Sequence, residues 1–201
     1  MIRAVLLAAG ESRRMGQPKA LLADPSGTPF VVRIVETLGS AGLADIVVIT
    51  GGHHDKIRAT LDARPATAPP VTIVRNPDPE RGQLSSLLCG LEGSADPEAL
   101  LVTLVDVPML TVQTVRAVID AWTAKRAAII RPAVGGAHGH PVIFDRKVFA
   151  ALRSAPLNEG ARAVVRAFAD QVENVQVADD GCLRDVDTPD EYARLIHGPS
   201  A

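Results

Sequence analysis

The sequence predicts one three-layer α/β domain over residues 1–201, with a mostly parallel sheet between two layers of helices. Two observations support this fold class. Apolar runs with little polar alternation, typical of strands buried on both faces, recur along the chain and are separated by segments of helical periodicity. Polar motifs follow directly after two of these runs, and ligands bind at such strand ends in parallel sheets.

Composition limits the class of protein. A chain of 201 residues suits one substantial core, and a hydrophobic share of 47% is that of a soluble globular protein. The net charge of −2 argues against nucleic acid as a bulk partner, and no apolar run approaches the ~20 residues of a membrane helix. Cys89 and Cys182 form no metal-like pair, and the first strand begins too early to leave room for a signal peptide. We therefore expect free thiols and a cytoplasmic protein with no membrane partner.

The elements follow in order. Apolar runs predict strands at 4–8, 46–49, 71–74, 100–105, 128–130, 141–144 and 172–177. Thr28 is expected to cap a helix that begins at Pro29, and further helices are expected at 55–63, 84–91, after 111, at 146–152 and at 160–170. Pro141 indicates an edge or antiparallel strand. Thr188 and Glu191 form a capping-box pattern that starts the last helix.

The loop after the first strand is the strongest functional signal. It contains Gly10, Ser12, Arg13, Gly16 and Lys19. Small residues let a ligand approach the backbone, free N–H groups hold phosphate oxygens, and cationic side chains supply charge. The spacing fits neither a Walker loop nor a dinucleotide-binding loop. We interpret the loop as a nucleoside triphosphate site; the alternative is an ordinary turn with surface cations.

Two aspartates complete the candidate site. Asp106 follows a buried strand, and Pro108 disfavours helical geometry for the residue between them. A carboxylate at this edge suits Mg²⁺, which takes one or two carboxylates and leaves other positions to phosphates and water. Asp187 precedes the last helix, where an acidic residue also stabilises the positive helix end without any metal.

These motifs resemble those of the MobA-like nucleotidyltransferases, especially the molybdenum cofactor cytidylyltransferases. Residues 7–19 read Leu-Ala-Ala-Gly-x-Ser-x-Arg-Met-Gly-x-x-Lys, and Asp106 begins an Asp-x-Pro-x-Leu segment. Further matching segments begin at Gly82 (Gly-Gln-Leu-Ser-Ser-Leu), Gly139 (Gly-His-Pro-Val-Ile-Phe) and Asp185 (Asp-Val-Asp-Thr-Pro), and a Gly-Ala-Arg occupies 160–162. The resemblance implies a single Rossmann-like domain of the nucleotide-diphospho-sugar transferase type.

The resemblance also implies an activity: Mg²⁺-dependent transfer of CMP from CTP to the phosphate of molybdenum-bound molybdopterin, with release of pyrophosphate. Ala9 favours CTP, because these enzymes pair Leu-Ala-Ala-Gly with cytidine use and Leu-Ala-Gly-Gly with guanosine use. A molybdenum hydroxylase is the implied recipient of the product. The implied nucleotide contacts are Leu7, Ala8, Ala9, Gly10, Ser12, Arg13, Lys19, Gly82 and Ser85; the catalytic residues are Lys19, Arg13 and Asp106; the metal ligands are Asp106 and Asp187; and the acceptor contacts are His140 and Arg162.

Several alternatives stay open from the residues alone. One alternative is an enzyme that uses GTP or UTP and another phosphorylated acceptor such as a sugar phosphate. The other is a nucleotide-binding chaperone that serves a molybdenum enzyme and catalyses no reaction. Ser85 and Ser86 would bind the nucleoside or cap a helix, and Arg162 would bind an acceptor phosphate or be solvated. The histidines at 53–54, 138 and 140 match no zinc spacing, so we interpret them as loop residues.

Overall fold

The computed structural model describes residues 1–92 and 96–198, and it confirms the α/β class. The strands are β1 (Ile2–Ala8), β2 (Asp45–Thr50), β3 (Thr72–Arg75), β4 (Ala99–Leu104), β5 (Ile129–Val134), β6 (Ala137–His138), β7 (Val142–Asp145) and β8 (Val172–Gln176). The helices are α1 (Phe30–Ser40), α2 (His54–Asp62), α3 (Gln83–Leu91), α4 (Val112–Lys125), α5 (Phe149–Ser154), α6 (Ala161–Ala167) and α7 (Pro189–His197).

The eight strands form one sheet in the order β3-β2-β1-β4-β7-β5-β6, and β8 pairs with β5. The pairs β1–β2, β1–β4, β2–β3 and β5–β8 are parallel. Because β1, β2 and β4 point the same way, their carboxyl ends meet at one edge of the sheet. The loop after β1 and the segment after β4 therefore lie side by side.

Both faces of the sheet are buried, as the continuous apolar runs predict. Ala4 and Leu6 of β1 face a core shared with α1 and α4, whereas Val5 and Leu7 face a core shared with α3, α5 and α6. Gly90 of α3 lies so close to β1 that a Cβ there would be 2.5 Å from Cγ1 of Val5. The absence of a side chain at Gly90 thus sets the distance between α3 and the sheet.

Two sequence expectations are corrected. Thr28 does not cap α1; the helix begins at Phe30, with Pro29 in the cap position. The strand after Pro141, expected to be an edge or an antiparallel strand, is antiparallel and lies between β4 and β5. Pro141 precedes the paired residues 142–145, so its missing N–H removes no ladder bond.

The helix at 160–170 is also shorter than expected. The α-helix ends at Ala167, and a separate 3₁₀ turn covers Ala169–Gln171. By contrast, the capping box of α7 forms as predicted, with the Thr188 hydroxyl accepting from the backbone N–H of Glu191. Within the two described ranges, no helix is long and apolar enough to cross a membrane.

Candidate active site

The loop after β1 is shaped by a short 3₁₀ turn, Arg13–Met15. Ser12 enters the turn in the left-handed region (φ 54°), and its Oγ accepts a hydrogen bond of 3.0 Å from the backbone N–H of Lys19. This bond ties the start of the loop to the residue that closes it. On the other side, a Cβ at Gly51 would be 2.4 Å from the carbonyl oxygen of Ala9, so glycine there lets the loop after β2 pack against the loop after β1.

A cluster of charged side chains lies where the loop meets the end of β4. The Lys19 ammonium contacts Asp187 Oδ1 and lies 3.4 Å from Asp106 Oδ2. Arg14 Nη2 donates to Asp187 Oδ2 at 2.8 Å. Lys19 is largely buried, with 11% of its side chain exposed. The structure therefore brings together two aspartates and a lysine that sequence reasoning assigned to one site.

The backbone holds the two acidic segments together. The N–H of Val186 donates to the carbonyl oxygen of Asp106 at 2.7 Å, and Glu191 accepts from the N–H of Asp187 at 2.8 Å. The hydrogen bond from Lys19, with help from Arg14, lowers the pKa of Asp187 despite its partial burial. Burial and the neighbouring charges of Asp106 and Asp187 instead raise the pKa of Asp185.

The aspartates fit a divalent metal. Asp106 Oδ1 is buried and has no hydrogen-bond partner among the described residues. The Lys19 ammonium lies between the two carboxylates, in the position that a shared cation would take. No set of three or more His, Cys, Asp or Glu in the described ranges is arranged to hold a metal ion. Two carboxylates without further protein ligands are the donor set that Mg²⁺ uses beside phosphates.

A cavity of about 360 Å³ opens over this cluster. It is lined by most of the residues predicted to bind nucleotide or metal, namely Leu7, Ala9, Gly10, Ser12, Arg13, Lys19, Gly82, Asp106 and Asp187. Ala8 is buried within the sheet and Ser85 does not line the cavity, whereas Ser86 does. Arg13 is at the rim, with 85% of its side chain exposed and an ion pair to Glu11. Arg14, rather than Arg13, reaches the carboxylates.

Asn76 organises the part of the cavity wall that is formed by the loop between β3 and α3. Its Nδ2 donates to the hydroxyls of Ser85 and Ser86, both at 2.9 Å, and its Oδ1 accepts from the N–H of Asp78 at 2.9 Å. The Ser85 hydroxyl in turn donates to the carbonyl oxygen of Gly82 at 2.8 Å. The network fixes the loop between β3 and α3, so Ser85 shapes the cavity indirectly, by holding this loop in position. Sequence reasoning missed Asn76, because a polar loop residue gives no sign of burial.

A second, larger cavity of about 1020 Å³ adjoins the first and shares Lys19, Asp106 and Asp187 with it. His140 and Arg162, the predicted acceptor contacts, line this cavity. Burial lowers the pKa of His140, with Nδ1 lying 3.4 Å from the carbonyl oxygen of Val102. The imidazole is therefore neutral near pH 7. A Cβ at Gly139 would be 2.1 Å from the carbonyl oxygen of Cys182, so glycine lets this loop pack on the segment that leads to Asp187.

The expectation that the histidines are loop residues is wrong for His54, which is the first residue of α2, and for His138, which lies in β6. His54 is bound through Nδ1 to the Thr50 hydroxyl at 2.6 Å. It therefore fixes the end of β2 to the start of α2. Cys89 and Cys182 are both free thiols.

Comparison with known proteins finds one family model and relatives that match nearly the whole chain. The model of the MobA-like NTP transferase domain matches residues 4–175. Nicotine blue oxidoreductase of Paenarthrobacter nicotinovorans is 31% identical, covering 97% of this chain and 96% of that protein. The molybdenum cofactor cytidylyltransferase of Escherichia coli K12 is 27% identical, covering 95% and 93%.

The solved structures include a similar protein. Rv0371c of Mycobacterium tuberculosis H37Rv superposes with a TM-score of 0.79 at 28% identity, covering 97% of this chain and 96% of that one. The same protein has also been solved in complex with manganese, with a TM-score of 0.75, 25% identity and coverage of 98% of this chain and 99% of that one.

Proposed function

Because this chain belongs to the MobA-like NTP transferase family, we propose that it transfers CMP from CTP to the phosphate of molybdenum-bound molybdopterin and releases pyrophosphate. The observation that carries the proposal is the cluster of Lys19, Arg14, Asp106 and Asp187 beside the phosphate loop. The full-length similarity to the Escherichia coli cytidylyltransferase supports this choice of substrates.

The reaction forms one bond and breaks one. An oxygen of the acceptor phosphate attacks the α-phosphorus of CTP, and the bond from that phosphorus to the bridging oxygen of the β-phosphate breaks, so that pyrophosphate leaves with the electron pair. A phosphate monoester is mostly dianionic at neutral pH because its second pKa is ~6, and it needs no general base. The protein's task is positioning and charge neutralisation.

The residues of the charged cluster and of the loop after β1 share this task. Backbone N–H groups of the loop over 9–12 and the side chains of Arg13 and Arg14 hold the triphosphate. Lys19 neutralises the charge that develops on the α-phosphate; its burial strengthens this interaction. Asp106 and Asp187 would hold Mg²⁺, which supplies Lewis-acid charge neutralisation when bound. The manganese complex of Rv0371c supports a divalent ion at this fold.

The choice of CTP depends on Ala9, which lines the nucleotide cavity. The test is to measure pyrophosphate release with each of the four NTPs, Mg²⁺ and the molybdenum-bearing pterin. We expect CTP to be preferred, and a preference for GTP contradicts the cytidine assignment. Removal of divalent ions with EDTA should stop the release, and added Mg²⁺ should restore it.

The variant Asp106→Ala tests the metal role. We expect it to lower the rate of pyrophosphate release by at least ~100-fold, because a developing charge loses its counter-ion. Asp120→Ala, on the exposed face of α4, is the matched control and should keep the wild-type rate. Unchanged release in Asp106→Ala contradicts the metal role, and nucleotide binding without any turnover in the wild type favours the chaperone alternative.

Oxidoreductase activity is a second candidate, favoured by the 31% identity to nicotine blue oxidoreductase along nearly the whole chain. The test is oxidation of NADH or NADPH by the purified protein in the presence of a quinonoid dye. Turnover that survives Asp106→Ala favours this candidate over nucleotidyl transfer.

The proposal also covers the location of the protein and the recipient of its product. A cytosolic location is supported by the two free thiols. A molybdenum hydroxylase is the proposed recipient of the product, and co-purification of such an enzyme with the product-loaded protein is its test.

A further inference from the structure

The larger cavity has an uneven distribution of charge. At its catalytic end, the cations of Arg14 and Lys19 are balanced by the carboxylates of Asp106 and Asp187. The opposite side carries three arginines, Arg131, Arg162 and Arg166, which we call the arginine wall. The transfer step described above uses no cation on this side, and only Arg162 was already expected to contact the acceptor.

Among the described residues, Arg131 and Arg162 have no acidic partner. Arg166 forms an ion pair with Glu159, whereas neither Arg131 nor Arg162 forms an ion pair with a carboxylate of the described residues. The carboxylate of Asp185 also lines this cavity and forms no ion pair among the described residues, so the arginine wall leaves the cavity with a small excess of positive charge although the chain has a net charge of −2. Clustered cations that line a cleft attract anions to it.

The setting of Arg131 holds its guanidinium in place. Arg131 on β5 lies directly opposite Asn174 on β8, and its Nε donates to Asn174 Oδ1 at 2.8 Å. This neutral partner orients the side chain without cancelling its charge and leaves both Nη groups for a ligand. Burial and the charge of Arg131 lower the pKa of His138, which therefore adds a neutral hydrogen-bonding ring to the wall.

The strand register sets the distance between Arg131, in the arginine wall, and Asp106, in the charged cluster beside Lys19. β5 lies two strands from β4, and Ile130 is level with Leu101 through Ile143. Arg131 is therefore level with the residue four positions before Asp106. With ~4.8 Å between strands and ~3.3 Å per residue, the Cα atoms of Arg131 and Asp106 are roughly 16 Å apart. Apolar side chains, among them Leu84, Val142 and Phe144, line the space between.

We propose that Arg131 and Arg162 bind a second anionic group of the acceptor, at the end remote from the attacking phosphate. The inference rests on the proposed function and narrows its substrate class to acceptors that carry a second anionic group besides the attacking phosphate, as the molybdenum-dithiolene group of the proposed pterin does. A sugar monophosphate, anionic at one end only, leaves both arginines unpaired and is a poor acceptor.

The first test uses inorganic phosphate as the probe. Protein saturated with Mg²⁺ and an α,β-methylene analogue of CTP is titrated with phosphate by calorimetry. The double variant Arg131→Gln/Arg162→Gln should bind phosphate at least ~10-fold more weakly than the wild type, since a charge-assisted pair contributes ~1.5 kcal/mol or more. Arg131→Lys keeps the positive charge but loses the paired N–H donors of the guanidinium. Its affinity for phosphate should lie between those of the double variant and the wild type. Arg153→Gln, an exposed arginine outside the cavity, is the control and should match the wild type.

The second test is steady-state kinetics with the molybdenum-bearing pterin. We expect the double variant to raise the KM for the acceptor at least ~10-fold, with kcat and the KM for CTP within ~3-fold of wild type. An unchanged KM for the acceptor, together with unchanged phosphate affinity, overturns the inference while leaving the proposed function in place. If no NTP binds the wild type, the proposed function fails, and titration of the nucleotide-free protein with phosphate still decides whether the arginines form an anion site.

Discussion

The substitution Asn76→Ala tests whether the loop between β3 and α3 helps to bind the nucleotide. Asn76 is only 2% exposed and makes three side-chain hydrogen bonds of 2.9 Å, to Ser85, Ser86 and Asp78. At ~1 kcal/mol for each lost bond, we expect the free energy of unfolding to fall by about 3 kcal/mol. Typical domains have 5–15 kcal/mol, so the variant should still fold.

The same change should weaken the binding of CTP and Mg²⁺. Gly82 and Ser86 line the nucleotide cavity, and the network holds both in position. A loosened loop must be ordered again on binding, at ~1–2 kcal/mol for each backbone residue that is fixed. We therefore expect the Kd to rise about 10-fold or more.

Two measurements separate the effects on stability and on binding. Denaturant unfolding gives the loss of stability, and calorimetry well below the unfolding temperature gives the Kd for CTP. Gln113→Ala, which removes an exposed amide from α4, is the control and should change neither quantity. A loss of stability with an unchanged Kd for CTP would refute the positioning role of Asn76.

Three further predictions follow from other parts of the chain. Lys19→Ala should lower kcat by ~100-fold or more while changing the Kd for CTP by less than ~10-fold; equal kcat values contradict its catalytic role. Gly90→Ala should lower the free energy of unfolding by ~1–3 kcal/mol, because the added Cβ would be 2.5 Å from Cγ1 of Val5; unfolding curves that superpose contradict the close packing. Burial raises the pKa of Asp24, but its hydrogen bonds outweigh burial and leave the pKa below the ordinary 3.8. Its contribution to stability is thus complete above pH 3.8 and is lost as the pH falls through the lowered value, so Asp24→Asn should lose less stability on acidification than the wild type.

The order of strands and helices was predictable from the sequence because burial on both faces demands continuous apolar runs. The position of β7 was not, since Pro141 is equally consistent with an edge strand and with a paired strand that begins after it. The pairing of β7 with both β4 and β5 depends on contacts between residues distant in the chain.

The candidate site was predictable from the sequence where its residues come directly after the ends of strands. Lys19, Asp106 and Asp187 come together because β1 and β4 are adjacent and the backbone of Val186 binds that of Asp106. Which of the neighbouring arginines points inward depends on the 3₁₀ turn, although the arginine of the motif itself falls at Arg14. Nothing in the sequence distinguishes Arg131 from a surface arginine, because its lack of an acidic partner is a property of the folded cavity.

The most direct measurement is a crystal structure with Mg²⁺ and a non-hydrolysable CTP analogue. The account predicts the triphosphate along the loop from Gly10 to Lys19, with the metal ion on Asp106 and Asp187 and the Lys19 ammonium moved onto the α-phosphate. A nucleotide bound elsewhere, with Lys19 still between the two aspartates, contradicts it.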